Sequence, residues 1–589
     1  MRKTKIICTL GPATKDEKIV KELMLGGMNV ARFNFSHGDY EQHDTNMKMI
    51  SKLREELGLP IATLLDTKGP EIRVGKFKNK QETLQPGGLF TLTTDEILGD
   101  ESRVSISYKN LPKDVHMGTK ILLDDGLIEL KVVNIEGNDI NCQVVNGGTI
   151  SNNKGVNVPG HALSMPYMSE KDRSDIIFGI EHGFDFIAAS FTRCADDIMQ
   201  IRQILDEHKC TTIRIIAKIE NADGVANIDD ILRVSDGIMV ARGDMGVEIP
   251  YEEIPVLQKI LIKKGYKAGK QVITATQMLE SMIHNPRPTR AETTDIANAI
   301  YDGTSAIMLS GETAAGDYPV EALRAMALIA ERTENDIDYG KRFSAHGNDS
   351  SQDVTNAISH ATCTVAYDLG ATAIVTVTQS GQTARMISKF RPQVPIIGCT
   401  AIPTVYRQMN MSWGVVPLMI EPKTSIDDLF EHAAEAARKA GYVKDGDLIA
   451  ITCGAPLGIS GTTNLLKVHV VGDILVTGRG VTSGITCGKV CACRDYEEAL
   501  KKFNQGDILV IPETNNRILS LMKKCSGIIT EEDGFTSHAA IVGMALEIPV
   551  IIGAKNATRI LKSGTTIRMD ASKGLVSNGA LKEGLTDKS

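Results

Sequence analysis

No run of about 18 apolar residues occurs in the 589-residue chain, so no membrane-spanning helix is expected. The N-terminal Met-Arg-Lys-Thr-Lys-Ile-Ile-Cys is too short in apolar residues for a secretory leader. Positive charge is not in excess. Lys and Arg number 65 against 73 Asp and Glu, a net charge of −8, which argues against a nucleic-acid binder and leaves only local basic patches open. Zinc spacing is also missing. Of eleven cysteines, Cys487, Cys491 and Cys493 cluster, but no second Cys/His cluster follows. Scattered thiols of this kind are expected to be reduced, in a cytoplasm. What remains is a globular composition, 42% hydrophobic. Single cores stop growing at about 250–300 residues, so several domains are expected.

Short apolar runs ending in polar residues recur eight times. They are Lys5–Leu10, Asn29–Asn34, Ile61–Asp66, Asp185–Ser190, Ile213–Glu220, Gly237–Asp244, Gln271–Thr276 and Ser305–Ser310. Runs of this length, apolar on both faces, read as buried parallel strands. Amphipathic stretches lie between most of them, such as Asp16–Gly26 and Tyr251–Ala268. Eight strands alternating with helices predict a TIM barrel. A single polar strand end is more often a cap or turn former, but a ring of them at one barrel face reads as a site.

Lys218, Glu220 and Asp244 are the sharpest members of that ring. Lys218 and Glu220 are two apart, so a strand points them the same way. Asp244 is expected to end the next strand. Two carboxylates can hold Mg²⁺ with positions left for substrate oxygens, and the ammonium can neutralise a phosphoryl group or an enolate. An ordinary ion pair at a strand end accounts equally well for one such pair taken alone.

From about Glu71 to Pro166 the helical period disappears. β-rich runs broken by Pro86-Gly-Gly, Asp125-Gly, Glu136-Gly-Asn and Asn146-Gly-Gly predict a small antiparallel barrel or sandwich, placed as a lid. The expected division is a barrel over 1–70 and 167–345, a lid over 71–166, an α/β domain over 346–472 and a further domain over 473–589. A polar hinge is expected over 346–352.

Six long motifs then resemble those of the pyruvate kinase family and occur in its order. They are Ala31-Arg-Phe-Asn-Phe-Ser-His-Gly38, Leu65-Asp-Thr-Lys-Gly-Pro-Glu-Ile-Arg73, Ala217-Lys-Ile-Glu-Asn221, Ala241-Arg-Gly-Asp-Met-Gly246, Thr274-Ala-Thr-Gln-Met-Leu-Glu-Ser281 and Met308-Leu-Ser-Gly-Glu-Thr313. The resemblance implies transfer of a phosphoryl group from phosphoenolpyruvate to ADP, giving pyruvate and ATP. It implies that Lys218 steadies the transferring group and the enolate, and that Glu220 and Asp244 hold Mg²⁺ (or Mn²⁺). A second Mg²⁺ arrives with the nucleotide. Arg32 contacts the substrate phosphate, Gly243, Asp244 and Thr276 frame its carboxylate, and Asn34, His37 and Arg73 face the nucleotide. Asn34, Ser36, Asp66 and Thr67 ligate K⁺. The side-chain oxygens of Asn34 and Ser36 are expected on one face of an extended segment, with Asp66 and Thr67 crossing from the adjacent strand, but from the residues alone those four read first as structural caps. Glu71 matches K⁺-dependent members, since K⁺-independent ones carry lysine there. Thr276, or a water it orients, is the candidate proton relay; an unperturbed hydroxyl is a poor acid, which favours the water. The family also implies a homotetramer.

Two positions depart from the family: Ala315 stands where many relatives have lysine, and Cys194 where many have a second basic residue. Both bear on ADP binding.

Past the barrel, Ala371–Thr378, Ile396–Cys399 and Asp447–Thr452 read as strands of an α/β domain. The first runs into Thr378, Ser380, Gly381, Gln382 and Thr383 before a helix, which is either a capped turn or an anion site. In the family this pocket takes a sugar-phosphate effector. The second wall, Cys453–Thr463, has no Arg, Lys or Trp, so a sugar or nucleoside monophosphate fits better than a bisphosphate. After about Asp473, Glu531-Glu-Asp-Gly-Phe-Thr-Ser-His538 resembles the swivelling phosphohistidine domain of phosphoenolpyruvate-utilising enzymes. His538 matches their phosphorylated histidine, or is an idle histidine on a retained fold. Two competing functions stand beside a kinase. A phosphoenolpyruvate synthase or dikinase needs an ATP-grasp domain, which no segment matches. A Mg²⁺-dependent barrel lyase needs neither the lid nor the K⁺ ligands.

Overall fold

The computed structural model describes residues 1–161, 163–346, 353–456, 463–472 and 474–579. All eight apolar runs form strands: β1 Lys5–Thr9, β2 Val30–Asn34, β3 Ala62–Asp66, β4 Phe186–Ala189, β5 Arg214–Ile219, β6 Gly237–Ala241, β7 Gln271–Ala275 and β8 Ala306–Leu309. Each pairs in parallel with the next, and β8 returns to β1, closing the barrel. Closure explains why the runs are apolar throughout. Ile7, Leu64, Ile216 and Met239 fill the interior layer, while Ile6, Cys8, Ile215 and Ala217 pack outward beneath the helices. Two-residue alternation along β5 therefore sends Lys218 and Glu220 inward after Ile216.

The helices bury one stripe each. In α1, Glu17–Leu25, the buried residues are Val20, Leu23 and Met24, and the Asp16 carboxylate caps the start by accepting from the Lys18 amide. On the barrel's N-terminal face, Met411 adds to the interior layer, Lys5 Nζ donates to the Val415 carbonyl, and the Gln271 amide donates to Ser412 Oγ.

The insert forms a seven-stranded sheet over its own core of Ile72, Phe90, Leu92, Ile121 and Leu130. Its two edge strands meet at the bridge Val74–Ile106, which bends the sheet into a small barrel. The strands Leu89–Thr93 and Arg103–Ser105 pair in parallel, unlike the antiparallel remainder. The chain then alternates strands (Ala373–Val377, Ile396–Thr400, Val415–Met419, Leu448–Gly454) with helices, an α/β pattern. The C-terminal segment builds a separate eight-stranded mixed sheet. Of the hinge expected over 346–352, His346 ends the helix Tyr339–His346, and residues 347–352, like the stretch 457–462 of the second effector wall, lie outside the described residues.

By contact density the chain forms two compact units. One holds Met1–Cys363, Thr376–Pro422 and Cys453–Leu465; the other holds Thr364–Val375, Lys423–Thr452 and everything from Leu466 onward.

Two local expectations are corrected. β6 stops at Ala241, and Asp244 sits in the first turn of a helix, α2 Arg242–Glu248. The neighbouring β7 ends at Ala275, so β6 has no ladder partner beyond Ala241. Likewise, Asn34 and Ser36 do not share an extended segment. β2 ends at Asn34, whose side-chain oxygen accepts from the Ser36 amide at 3.1 Å, folding the chain into a turn.

Candidate active site

The C-terminal ends of β2 to β7 gather a compact set of charges. Lys218, only 8% exposed, places Nζ 3.0 Å from Glu220 Oε1, 3.1 Å from Asp66 Oδ1 and 2.7 Å from Ser190 Oγ. Arg32 Nε donates to Asp66 Oδ2 at 2.6 Å, and its Nη1 donates to Thr9 Oγ1 at 2.9 Å. Two cations thus alternate with two carboxylates. Burial alone would neutralise Lys218 and Asp66, but each is held charged by its neighbours. The Asp66 and Glu220 carboxylates raise the lysine above its ordinary range, and Lys218 and Arg32 lower the aspartate.

Glu220 is different. Full burial pushes it up to about 8, and the Lys218 ammonium only partly offsets this. Its Oε2 accepts from the Phe191 amide at 2.6 Å, while Oε1 is buried without a hydrogen bond. Phe191 reaches that position at φ 53°, a left-handed conformation costly for an aromatic residue. Nothing in the sequence marks it, because the strain comes from the turn that delivers its amide.

Thr276 is a second strained residue, at φ 69°, followed by Gln277 at φ 54°. Its hydroxyl accepts from the Gly243 amide at 2.8 Å and donates to the Ala275 carbonyl at 2.6 Å. Arg242 holds this turn from behind. Its Nη2 donates to the Thr276 carbonyl at 2.7 Å and its Nη1 to Asp295 at 2.6 Å. Arg242 lies within one of the six motifs, but its position beside β7 is a tertiary fact that no local pattern marks.

Asp244, half-buried, makes no hydrogen bond among the described residues and lines a cleft of about 370 Å³ between barrel and lid. Asp125 of the lid and Phe191 line the same cleft, and burial together with the Asp244 charge raises the Asp125 carboxyl. No group of three or more His, Cys, Asp or Glu with metal-cage geometry exists among the described residues. The donor set is an open pair of carboxylates. One has a buried oxygen that faces only the Lys218 ammonium, and the other makes no hydrogen bond, so the residues fit a divalent cation that keeps sites for substrate.

The remaining candidates divide. Asp66 Oδ1 lies 3.0 Å from Ser190 Oγ as well as near Lys218, and Thr67 Oγ1 donates to the Ala188 carbonyl at 3.2 Å. These oxygens lie beside the Asn34–Ser36 turn, where the Phe35 amide donates to the Asp66 carbonyl at 3.0 Å. His37 is exposed, its carbonyl 3.0 Å from His43 Nε2. Arg73 is paired with Glu71 at 2.5 Å and donates to the Asn153 carbonyl at 2.7 Å. Cys194 precedes the helix Ala195–Glu207 without capping it, whereas Arg193 binds Asp197 through two nitrogens at 3.1 and 3.0 Å. Ala315 ends the short helix Gly311–Ala314.

Away from the barrel mouth, Thr378 Oγ1 accepts from the Gly381 amide at 3.0 Å, and Gly381 at φ 74° starts the helix α3, Gln382–Lys389. Thr383 Oγ1 lies 2.7 Å from Thr463 Oγ1. His538 opens the helix α4, His538–Ala545, behind the Ser537 cap. Both ring nitrogens are engaged, with Nδ1 2.9 Å from Thr514 Oγ1 and Nε2 3.0 Å from Asn516 Oδ1.

A TIM barrel with an inserted β lid and a lysine set among carboxylates at its C-terminal face, in a chain that also carries an α/β segment and a fourth domain, defines a multidomain barrel phosphotransferase. Family comparison gives the same class. Residues 1–323 match "Pyruvate kinase, barrel domain", 356–469 match "Pyruvate kinase, alpha/beta domain" and 503–574 match "PEP-utilising enzyme, mobile domain". The chain is 50% identical to a pyruvate kinase of Bacillus licheniformis over 581 residues, covering 98% of this chain and 99% of the other. It is 49% identical to one of Geobacillus stearothermophilus over 580 residues, with the same coverage. A solved pyruvate kinase from Cryptosporidium parvum superposes with a TM-score of 0.76 at 40% identity, over 80% of this chain and 96% of that one. The chain belongs to the pyruvate kinase family.

Proposed function

We propose that this chain transfers the phosphoryl group of phosphoenolpyruvate to ADP, using the Lys218 cluster as its charge-neutralising centre. The observation that carries this reading is the buried Lys218 ammonium, held between Glu220 and Asp66 and beside Arg32 at the C-terminal face. Phosphoryl transfer has a loose, metaphosphate-like transition state, so positioning and charge dominate. Arg32 and Lys218 bind the substrate phosphate. Both are pre-oriented by Asp66, so little reorganisation accompanies the reaction. The Gly243 amide and Thr276 frame the substrate carboxylate beside α2. Arg73, with Asn34 and His37, meets the nucleotide at the cleft mouth. Closure of the lid excludes water, so ADP and not solvent receives the phosphoryl group.

Glu220 and Asp244 would hold Mg²⁺ or Mn²⁺, which when bound neutralises charge and aligns substrate oxygens. Asn34, Ser36, Asp66 and Thr67 are the oxygen donors for K⁺. The Lys218 ammonium also faces the enolate oxygen as charge develops there. Because the Thr276 hydroxyl already donates to Ala275, a water held by Thr276 is the better proton source for the enolate. The wider reading is a cytoplasmic homotetramer, activated by a sugar or nucleoside monophosphate at Thr378–Thr383.

The test couples phosphoenolpyruvate, ADP and this protein to a pyruvate-consuming readout. Pyruvate formation that requires ADP supports the reading. Pyruvate formed without ADP, or a need for ATP, would overturn it.

A further inference from the structure

A second cationic centre lies on the N-terminal face of the barrel, away from the catalytic ends of the strands. Arg214 opens β5, Asp236 precedes β6, Lys270 precedes β7 and Ser305 precedes β8. A small pocket there is lined by Lys270, Ser305, Arg385, Lys389, Arg391 and Trp413, with no carboxylate in its wall. Asp236, the acid that acts on Arg385 and Lys270, is already committed: it accepts from Arg202 at 3.1 Å, Arg214 at 3.3 Å and the Ile215 amide at 2.9 Å.

Arg385, on α3, makes no side-chain hydrogen bond among the described residues. Arg391 is 5% exposed, and its Nε is buried without a partner. The other nitrogens of Arg391 donate to neutral groups, the Ser388 and Gly303 carbonyls at 3.0 and 2.8 Å, and its guanidinium lies 4.8 Å from the Trp413 ring centroid. Burial, helped by Arg214 and Arg342, lowers both guanidinium pKa values, Arg385 to about 10 and Arg391 to about 9, and the acids Asp236 and Glu334 offset only part of this. Desolvated cations without a counter-charge are costly. Serine hydroxyls and guanidinium nitrogens are the donors that oxyanions accept best.

We propose that this pocket binds a compact inorganic oxyanion of the phosphate class. The pocket has room for about one water-sized guest, about 10 Å³. A tetrahedral anion is larger than that and enters only as Arg385 swings aside and Lys389 gives up its 2.9 Å bond to Asn356 Oδ1; a nucleotide or sugar is excluded. The anion bridges α3 to the starts of β7 and β8. Arg214 already ties the same region together by donating to the Ser380 carbonyl at 3.3 Å. The pocket shares no lining residue with the effector loop Thr378–Thr383, although the Arg385 side chain reaches back toward Gly381 of that loop.

Trp413 is the only tryptophan in the chain, so its fluorescence reports this pocket. Inorganic phosphate is titrated at constant ionic strength, with gluconate as the balancing anion. ³¹P line broadening is followed in parallel, to register binding that leaves Trp413 silent. The expected result is a saturable response that persists in Thr383→Glu and weakens at least tenfold in Arg385→Gln. Lys270→Gln serves as the second variant should Arg385→Gln fail to fold by circular dichroism. The proposal is overturned by a non-saturable response in both readouts, by unchanged affinity in the folded variant, or by loss of the response in Thr383→Glu.

Discussion

Lys218 owes its charge to its neighbours. In an apolar barrel mouth an unpaired ammonium would shed its proton; Asp66 prevents that, and Glu220 adds to it once ionised. Removing it should therefore cost transition-state stabilisation and not merely binding. Lys218→Met is expected to lower kcat by about 10²-fold or more, with the circular dichroism spectrum kept. Glu220→Gln and Asp244→Asn should abolish turnover at ordinary Mg²⁺, each having lost one charged ligand. Near-normal turnover of all three at saturating Mg²⁺ would refute the assignment. Glu220 adds a pH effect. Its carboxyl is raised to about 8, so the metal-free folded protein binds a proton there that the unfolded chain has released above about pH 4.5. Stability of the metal-free protein should then fall as pH rises from about 5 to 8. Mg²⁺ must displace the same proton, so its affinity should strengthen over that window. Calorimetric titrations at pH 6, 7 and 8 check this, and a flat affinity would count against a protonated Glu220.

At the scale of elements, the prediction on monovalent cations belongs to the turn from β3 into the lid. Glu71 pairs with Arg73 two residues on, setting a carboxylate where K⁺-independent relatives of the resemblance place an ammonium. We expect strong activation by K⁺ and little by Na⁺, and partial relief of that requirement in Glu71→Lys, because a tethered ammonium can stand in for the monovalent ion. Full wild-type activity in tetramethylammonium buffer would contradict this. At the start of α3, the Thr383 hydroxyl sits against Thr463 in the loop proposed to take a monophosphate. Thr383→Glu should abolish activation by a sugar or nucleoside monophosphate while basal turnover holds, since negative charge at a helix start repels a phosphate. An unchanged activation curve would remove the loop from consideration.

For the whole molecule, the question is what the fourth domain adds. His538 is held by Thr514 and Asn516, and no segment resembling an ATP-grasp domain accompanies it. His538→Ala is expected to stay within a few-fold of wild-type turnover, whereas loss of a covalent relay would be severe. Truncation near Val471 should keep the reaction but lower thermal stability. Leu575 of the fourth domain packs directly over Gly446, a turn glycine at φ 90°, and the cut bares that surface. A rapid-quench experiment with ³²P-labelled phosphoenolpyruvate separates the readings: acid-labile label on His538, chased into ATP at the turnover rate, would make the domain a relay.

The strands of the barrel were legible because parallel strands buried on both faces must be apolar throughout, and eight such runs have few other solutions. The inward pairing of Lys218 with Glu220 followed from two-residue alternation alone. Other features were invisible for a physical reason. Asp244 falls in a helix because β7 runs out of ladder at Ala275, which no local pattern records. The strained turns at Phe191 and Thr276 are imposed by what their amide and hydroxyl must reach across the barrel mouth. Arg391 belongs to none of the motifs, and only the packing of α3 against the strand starts buries it. Periodicity and motif spacing determined the strands, their order and the charged set at their ends. Tertiary structure decided which of those charges are shared, which are left open to a ligand, and where strain is stored, because all three depend on groups far apart in the chain.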